Sequence, residues 1–211
     1  MPTEMLAESM EKYRTLMEGV KLRIALIDKI MTGEHKLPDV PMLESAALQL
    51  RKVLELIAFG SLVANKKAYS AAHANFAGEW NAKKLLAKVG RLNPNFYPTP
   101  VKQTRPHIPG IQIQHEKILN GYLTKVEFVR AYQQCSELIH TTNPYSGAPP
   151  LDLKAYSKDF FEWRQKIVTL LSLHELHLFN EPGMAVCSMN DGGMDRVAVY
   201  RFEPPPAVAK K

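Results

Sequence analysis

The chain of 211 residues is 45% hydrophobic, which suits one domain with a buried core. Its 27 lysine and arginine residues outnumber 21 acidic residues, and the net charge of +6 permits an acidic partner such as nucleic acid, although solubility alone explains it more simply. Two cysteines exclude a disulfide framework, and no apolar run could cross a membrane or form a secretory signal, so we expect a protein of the reducing cytoplasm.

Apolar residues recur at helical spacing through the first half of the chain. This spacing predicts four helices, over 4–31, 42–64, 67–77 and 81–89. Gly33 follows the first helix and Gly90 ends the fourth, as glycines often do at helix C-termini.

Prolines interrupt the next segment, 91–115, and exclude a helix there. Within it, residues 111–114 alternate between apolar and polar side chains like a short strand. Thr124 with Glu127 three residues later forms a capping box, which predicts the start of another helix. The Asn-Pro pair at 143–144 ends that helix.

The last part of the chain predicts a helix and then a hairpin. Apolar spacing indicates a long helix over 152–179. Strands over 184–189 and 196–202 flank a turn at 190–193. Residues 204–211 read as a disordered tail.

These elements predict a mainly α fold. We expect a helical bundle domain over 1–180 with the proline-rich insertion at 91–115. A small C-terminal antiparallel β-hairpin over 181–203 packs on the same domain, and a tail follows over 204–211. Residues near 111–114 could add a third strand, because a lone hairpin is only weakly stable.

Arg51 and Glu55 lie four residues apart on a predicted helix that is apolar nearly all round. They share a helix face with Leu48, Ala58 and Leu62, so we expect both charges to be partly buried. Burying either charge alone is costly, so each needs a partner. Two interpretations stay open: a core salt bridge that fixes helix register, or an arginine aimed into an inter-helix groove and held by Glu55.

His140 ends the helix that starts after Thr124. A helix C-terminus favours the protonated imidazole. Glu137 and Gln133 occupy neighbouring positions and predict a small polar patch. His140 either bonds the last free carbonyls of its helix or transfers protons at the edge of a helical groove.

His174 and His177 flank Glu175 but lie three residues apart, whereas the metalloprotease spacing is four. No third ligand is apparent, so we interpret this segment as a helix surface and predict no metal and no cofactor. Phosphate-binding glycine motifs and the GxSxG nucleophile motif are also absent from the sequence.

Two segments carry a resemblance to a known family: LRKVLELIA at 50–58 and YQQCSELIHTTNPY at 132–145. They resemble bacterial helical proteins of the HEPN kind, in which a helix with an Arg-[Lys/Arg]-x-x-Glu pattern packs against a later helix ending near a histidine. The resemblance implies a helical bundle, often dimeric, from toxin–antitoxin, phage-defence or RNA-processing systems.

Active HEPN proteins cleave RNA without a metal through an Arg-x(4–6)-His motif, in which the histidine assists the 2′-hydroxyl and the arginine stabilises phosphate charge. Here Arg130 precedes His140 by ten residues, and Arg164 precedes His174 by ten, so the local motif is absent. Only Arg51 and His140 could form a composite site, if the bundle or a dimer brings them together. The resemblance therefore implies a non-catalytic member.

Three functions remain open. The first is a non-catalytic HEPN-like homodimer that binds RNA or a cognate protein in a bacterial defence or toxin–antitoxin system. Its nucleic-acid contacts are expected at four positions: Arg51, Lys52, Arg130 and His140. The second is a metal-independent ribonuclease with Arg51 as phosphate clamp, His140 as acid/base, and Glu137 or Glu55 orienting them. The third is a scaffold subunit of a larger assembly, in which the hairpin edge pairs with another chain.

Overall fold

Six α-helices and five β-strands make up the described part of the chain. The computed structural model describes residues 2–33, 37–72, 78, 81–105, 113–141, 143, 145, 147, 149–178 and 183–202. The helices are α1 (Pro2–Met31), α2 (Asp39–Ala64), α3 (Lys66–Ala72), α4 (Ala82–Leu92), α5 (Lys125–Ile139) and α6 (Leu153–Leu171). The strands are β1 (Thr99–Thr104), β2 (Gln114–Lys117), β3 (Leu173–Leu176), β4 (Met184–Ser188) and β5 (Ala198–Phe202). The prediction of a mainly α fold is confirmed.

The two longest helices, α1 and α2, pack against each other in antiparallel directions. The Arg23 guanidinium of α1 donates to Gln49 Oε1 of α2 at 2.7 Å, whereas Gly60, further along α2, lies against the earlier Tyr13 ring of α1. One apolar stripe of each helix is buried, including Met17, Val20, Ile24, Leu50, Val53 and Ile57. Helical spacing of apolar residues therefore predicted both helices correctly.

Side-chain caps set the starts of α5 and α6. The Glu127 N–H donates to Thr124 Oγ1 at 3.2 Å, and the Thr124 N–H donates to the Glu127 carboxylate at 2.9 Å. This reciprocal pair is the predicted capping box, and it satisfies two amide groups that the helix itself leaves unpaired. Asp152 accepts the Ala155 N–H at 3.0 Å in the same way and starts α6.

All five strands form one antiparallel sheet with the order β2-β1-β3-β4-β5. The strands β3, β4 and β5 form a meander in which His174 lies opposite Cys187, and Cys187 lies opposite Val199. β1 joins this meander by pairing with β3 at its first two residues, and its later residues pair with β2.

The sheet is larger than the small C-terminal hairpin that we predicted. The hairpin itself is confirmed as β4 and β5, but the helix predicted over 152–179 is wrong beyond Leu171, where the chain enters β3. Of the strand predicted near 111–114, Gln114 is the first residue of β2, which lies at the opposite edge from β5 and not beside the hairpin. A short apolar run fits a helix or a strand equally well, and its pairing partner decides which one forms.

The helices cover one face of the sheet. His174 and Cys187 point to this face and are fully buried. Next to them, the Val197 N–H donates to Glu18 Oε1 of α1 at 2.7 Å and ties the start of β5 to that helix. Glu175 points to the opposite face, since successive strand residues alternate, and it is buried as well.

Among the residues described, no helix combines the length and apolarity that a membrane span requires. The predicted tail at 204–211 lies outside the described residues. So do parts of the predicted helix at 67–77 and of the proline-rich segment at 91–115, including residues 111 and 112.

Candidate functional site

Arg51 makes contacts through all three of its guanidinium nitrogens. Its Nε donates to Glu55 Oε1 at 3.2 Å on the same helix. Across the interface with α5, Nη1 donates to Ser136 Oγ at 2.7 Å and Nη2 donates to Tyr132 Oη at 3.1 Å. The guanidinium carbon also lies 4.7 Å from the centroid of the Tyr132 ring, in a cation–π contact.

This Arg51 cluster, defined by Arg51, Glu55, Tyr132 and Ser136, ties α2 to α5. The Arg51 side chain is only 16% exposed, and the Ser136 hydroxyl turns back to donate to the Tyr132 carbonyl at 2.6 Å. Burial raises the pKa of Tyr132, and the Arg51 charge opposes that rise. The backbone of Ala82, the first residue of α4, also lowers the pKa of Tyr132, so α4 lies beside the cluster as well.

A buried cysteine next to the Arg51 cluster does not supply a nucleophile. Cys135 is fully buried as a free thiol and directly precedes Ser136 in α5. Burial raises its pKa to about 12, although the Arg51 charge opposes the rise. The thiol is therefore protonated at neutral pH, and the thiolate is the reactive form.

The other predicted site residues lie outside this cluster. His140 is exposed at the C-cap of α5, one helical turn beyond Ser136, where Arg51 reaches that helix. Glu137 and Arg130 are exposed on α5, and Lys52 is half-buried on α2. The structure thus brings Arg51 together with Glu55, Tyr132 and Ser136, while the composite site of Arg51 with His140 stays a prediction.

One basic surface, the outer side of α4, was not among the predicted site residues. Lys83, Lys84 and Arg91 are exposed and Lys88 is half-buried. These four positions fall within about 140° of the helix circumference and extend about 12 Å along its axis. We call them the cationic face of α4. Their spacing at i, i+1, i+5 and i+8 is visible in the sequence and could have revealed this face.

Local contacts fix α4 on the body of the protein. Its opposite side is buried through Ala82, Leu85, Leu86 and Val89. Asn81 caps the helix by accepting the Lys84 N–H at 3.0 Å. Near the other end, the Lys125 ammonium of α5 lies 5.2 Å from the centroid of the Phe96 ring, which packs on Gly90. Lys125 therefore adds a cation beside the C-terminal end of α4.

The cationic face has no compensating acids on its own helix, since residues 82–92 contain no aspartate or glutamate. Within the described ranges, no carboxylate forms an ion pair with Lys83, Lys84 or Arg91. Some cations elsewhere on the surface do have an acidic partner, such as Lys102 with Glu116 at 2.9 Å. Lys83, Lys84 and Arg91 thus form a positively charged surface on the outer side of α4.

The interpretation of His174 as a helix-surface residue is wrong. His174 lies in β3 and is fully buried, where its Nε2 lies 2.7 Å from the Tyr13 hydroxyl and its Nδ1 lies 2.8 Å from the Leu171 carbonyl oxygen. Both ring nitrogens thus have protein partners. Over the part of the chain that the structure describes, no three histidine, cysteine or acidic side chains are grouped to hold a metal ion.

No family model, no curated protein and no solved structure matches this chain. The resemblance to HEPN proteins at 50–58 and 132–145 therefore stays a prediction.

Proposed function

We propose that this protein is a non-catalytic RNA-binding protein and that the cationic face of α4 contacts the RNA. The observation that carries the proposal is the set of three exposed cations on one side of α4, Lys83, Lys84 and Arg91, with no acid on that helix. Phosphate backbones are the common biological polyanion that such a surface attracts, and each neutralised phosphate releases counterions.

The chemistry of this face favours contacts to phosphates over contacts to bases. Its other outward position is the small residue Ala87, and α4 carries no aromatic side chain. Recognition of single-stranded bases normally uses aromatic stacking platforms, whereas phosphate contacts position a protein without reading sequence. We therefore expect binding with a strong salt dependence and little sequence preference.

The contacts of Arg51 support a non-catalytic protein. As a phosphate clamp, its guanidinium would have to leave Ser136 and Tyr132, and Glu55 would lose its partner. Such exchange is costly for a side chain that is 16% exposed. The ribonuclease alternative, with Arg51, His140 and Glu137, needs this rearrangement before any chemistry.

Several parts of the proposal rest on the sequence alone. Homodimer formation, the defence or toxin–antitoxin setting and the cytoplasmic location come from the HEPN resemblance and the composition. A cognate protein partner is the alternative to RNA, and binding of an acidic protein to the same face would support it.

The decisive test compares two triple variants of equal charge. In the first, Lys83, Lys84 and Arg91 are each replaced by glutamine. In the second, a control, three exposed cations away from α4 are replaced in the same way: Lys29, Lys154 and Lys158. Fluorescence anisotropy with labelled duplex and single-stranded RNA over a range of salt concentrations measures affinity.

We expect the α4 variant to lose at least about tenfold in affinity and its salt slope to fall by about 2–3, since each phosphate contact contributes slightly less than one. The control should stay within about twofold of the wild type, because net charge alone contributes little at physiological ionic strength. Equal losses in both variants would show that only net charge matters, and the proposal would then fail.

A cleavage assay separates binding from catalysis. We expect the wild-type protein to retain labelled RNA without cutting it, and His140→Ala to behave identically because His140 is exposed and outside the cationic face. Cleavage that His140→Ala removes while folding stays intact would instead establish the ribonuclease alternative.

A further inference from the structure

A cleft of about 240 Å³ lies on a different part of the molecule, between α1, α6 and the turn from β4 to β5. Its wall is mainly aliphatic and includes Val20, Ile24, Ile167, Val168 and Leu171. Apolar clefts with a few placed polar groups are the usual form of small-molecule sites.

One cation lies at the mouth of this cleft. The Lys21 ammonium donates to the Met189 carbonyl at 3.0 Å and to Asn190 Oδ1 at 3.1 Å. These two bonds tie the turn after β4 to α1, and the Lys21 side chain is only 19% exposed. Both acceptors are neutral, so these two bonds do not neutralise the positive charge of Lys21.

The charged partner of Lys21 is held loosely. Asp195 pairs with the Lys21 ammonium at 2.5 Å, yet the Asp195 side chain is 91% exposed. An exposed carboxylate of this kind gains little from its ion pair, because solvent screens it. Another carboxylate that also buries an apolar chain in the cleft would gain more from the same position.

We propose that this cleft binds an aliphatic monocarboxylate, whose carboxylate replaces Asp195 on Lys21 and whose chain lies against the aliphatic wall. The Lys21 ammonium selects the anionic head group, and the aliphatic wall selects the chain. The other charge on the cleft, Asp28, is already paired with Arg164 at 2.6 Å and does not oppose the ligand at the mouth.

Isothermal titration of the full chain with octanoate tests the proposal. 1-Octanol has the same chain without the charge, and acetate has the charge without the chain. We expect octanoate to bind at millimolar concentration or below, octanol to bind more weakly and acetate to give no heat of binding. The Asp195→Asn variant should bind octanoate about two- to fivefold more tightly, because the competing carboxylate is gone.

Two variants on α1 locate the head group. Lys21→Met should remove the preference for octanoate over octanol, while Lys29→Met, an exposed cation two turns further along the helix, should leave both affinities unchanged. Failure of octanoate to bind both the wild type and Asp195→Asn at millimolar concentration would overturn the proposal. Because Asp195 is exposed, that variant should fold normally and keeps the test decisive even if Lys21→Met does not fold.

Discussion

The Tyr13 hydroxyl and His174 Nε2 lie 2.7 Å apart in the interior, where they join α1 to β3. The other ring nitrogen, Nδ1, lies 2.8 Å from the Leu171 carbonyl oxygen and must donate to it, because a carbonyl only accepts. Nε2 is then the acceptor, and the Tyr13 hydroxyl donates. Burial lowers the pKa of His174 to about 4, so the imidazole is neutral at pH 7.

This arrangement predicts that the protein loses stability in mild acid. His174 titrates near 6.5 in the unfolded chain, but only near 4 in the folded protein. Between these values the unfolded state binds the extra proton, so stability is complete above about pH 6.5 and falls by about 3 kcal/mol as the pH approaches 4. Urea unfolding at neutral pH and in mild acid measures this change.

The matched variants are His174→Gln and His140→Gln. His174→Gln should be less stable at neutral pH and should lose stability less steeply in acid, since the titrating group is gone. His140 is exposed, so its replacement should keep the wild-type dependence on pH. If the unfolding free energy of His174→Gln fell with decreasing pH as steeply as that of the wild type, other groups would cause the acid sensitivity.

The location of His174 shows where sequence-based prediction stops. Its partner Tyr13 is at the other end of the chain, and β3 forms only because β1 and β4 lie on either side of it. Local spacing gave no sign of these partners and favoured a continuing helix instead. The capping box at Thr124 was predictable because all of its atoms lie within four residues.

In the candidate site too, contacts within one helix could be predicted from the sequence, whereas contacts between helices could not. The pairing of Arg51 with Glu55 follows from their spacing on one helix, and the structure confirms it. The bonds to Tyr132 and Ser136 come from α5, so only the packing of the two helices could reveal them. Helix packing depends on side-chain shape over the whole interface, which spacing within one helix does not contain.

Arg51 provides the second prediction. Arg51→Met should destabilise the protein by about 1–3 kcal/mol, because it leaves Glu55 without a cation and removes the bonds to Tyr132 and Ser136. Adding Glu55→Met should restore part of the loss, as in a double-mutant cycle. Urea unfolding provides the measurement.

The neighbouring cation Lys52 is the control for this pair. Lys52→Met should change stability by less than about 0.5 kcal/mol, because Lys52 is half-buried on α2 and lies outside the Arg51 cluster. If Arg51→Met unfolds like the wild type but no longer binds RNA, Arg51 is a nucleic-acid contact, as the sequence first suggested, and not a link between helices.

A buried asparagine pair provides the third prediction. Asn93 Nδ2 donates to Asn65 Oδ1 at 2.7 Å and to the His177 carbonyl at 3.1 Å, while its own Oδ1 accepts the Asn95 N–H at 3.0 Å. Asn93→Ala should cost about 2–3 kcal/mol, since it leaves buried polar groups unpaired. Asn95→Ala keeps the backbone N–H and should cost under about 0.5 kcal/mol. Urea unfolding measures both variants, and equal losses of unfolding free energy in Asn93→Ala and Asn95→Ala would contradict this prediction.

The close approach of α1 and α2 provides the last prediction. A Cβ atom at Gly60 would lie 2.9 Å from Tyr13 Cε2, and the hydroxyl of that ring is held by His174. Gly60→Ala should therefore destabilise the protein by about 1–3 kcal/mol, despite a gain of about 1 kcal/mol in helix propensity. Gly19→Ala on α1 is the control, because its Cβ would lie 3.3 Å from the mobile end of Leu56. Thermal unfolding should show a lower Tm for Gly60→Ala and an equal or higher Tm for Gly19→Ala. In a Tyr13→Leu background, the destabilisation caused by Gly60→Ala should be smaller, because the ring that blocks the Cβ atom is gone.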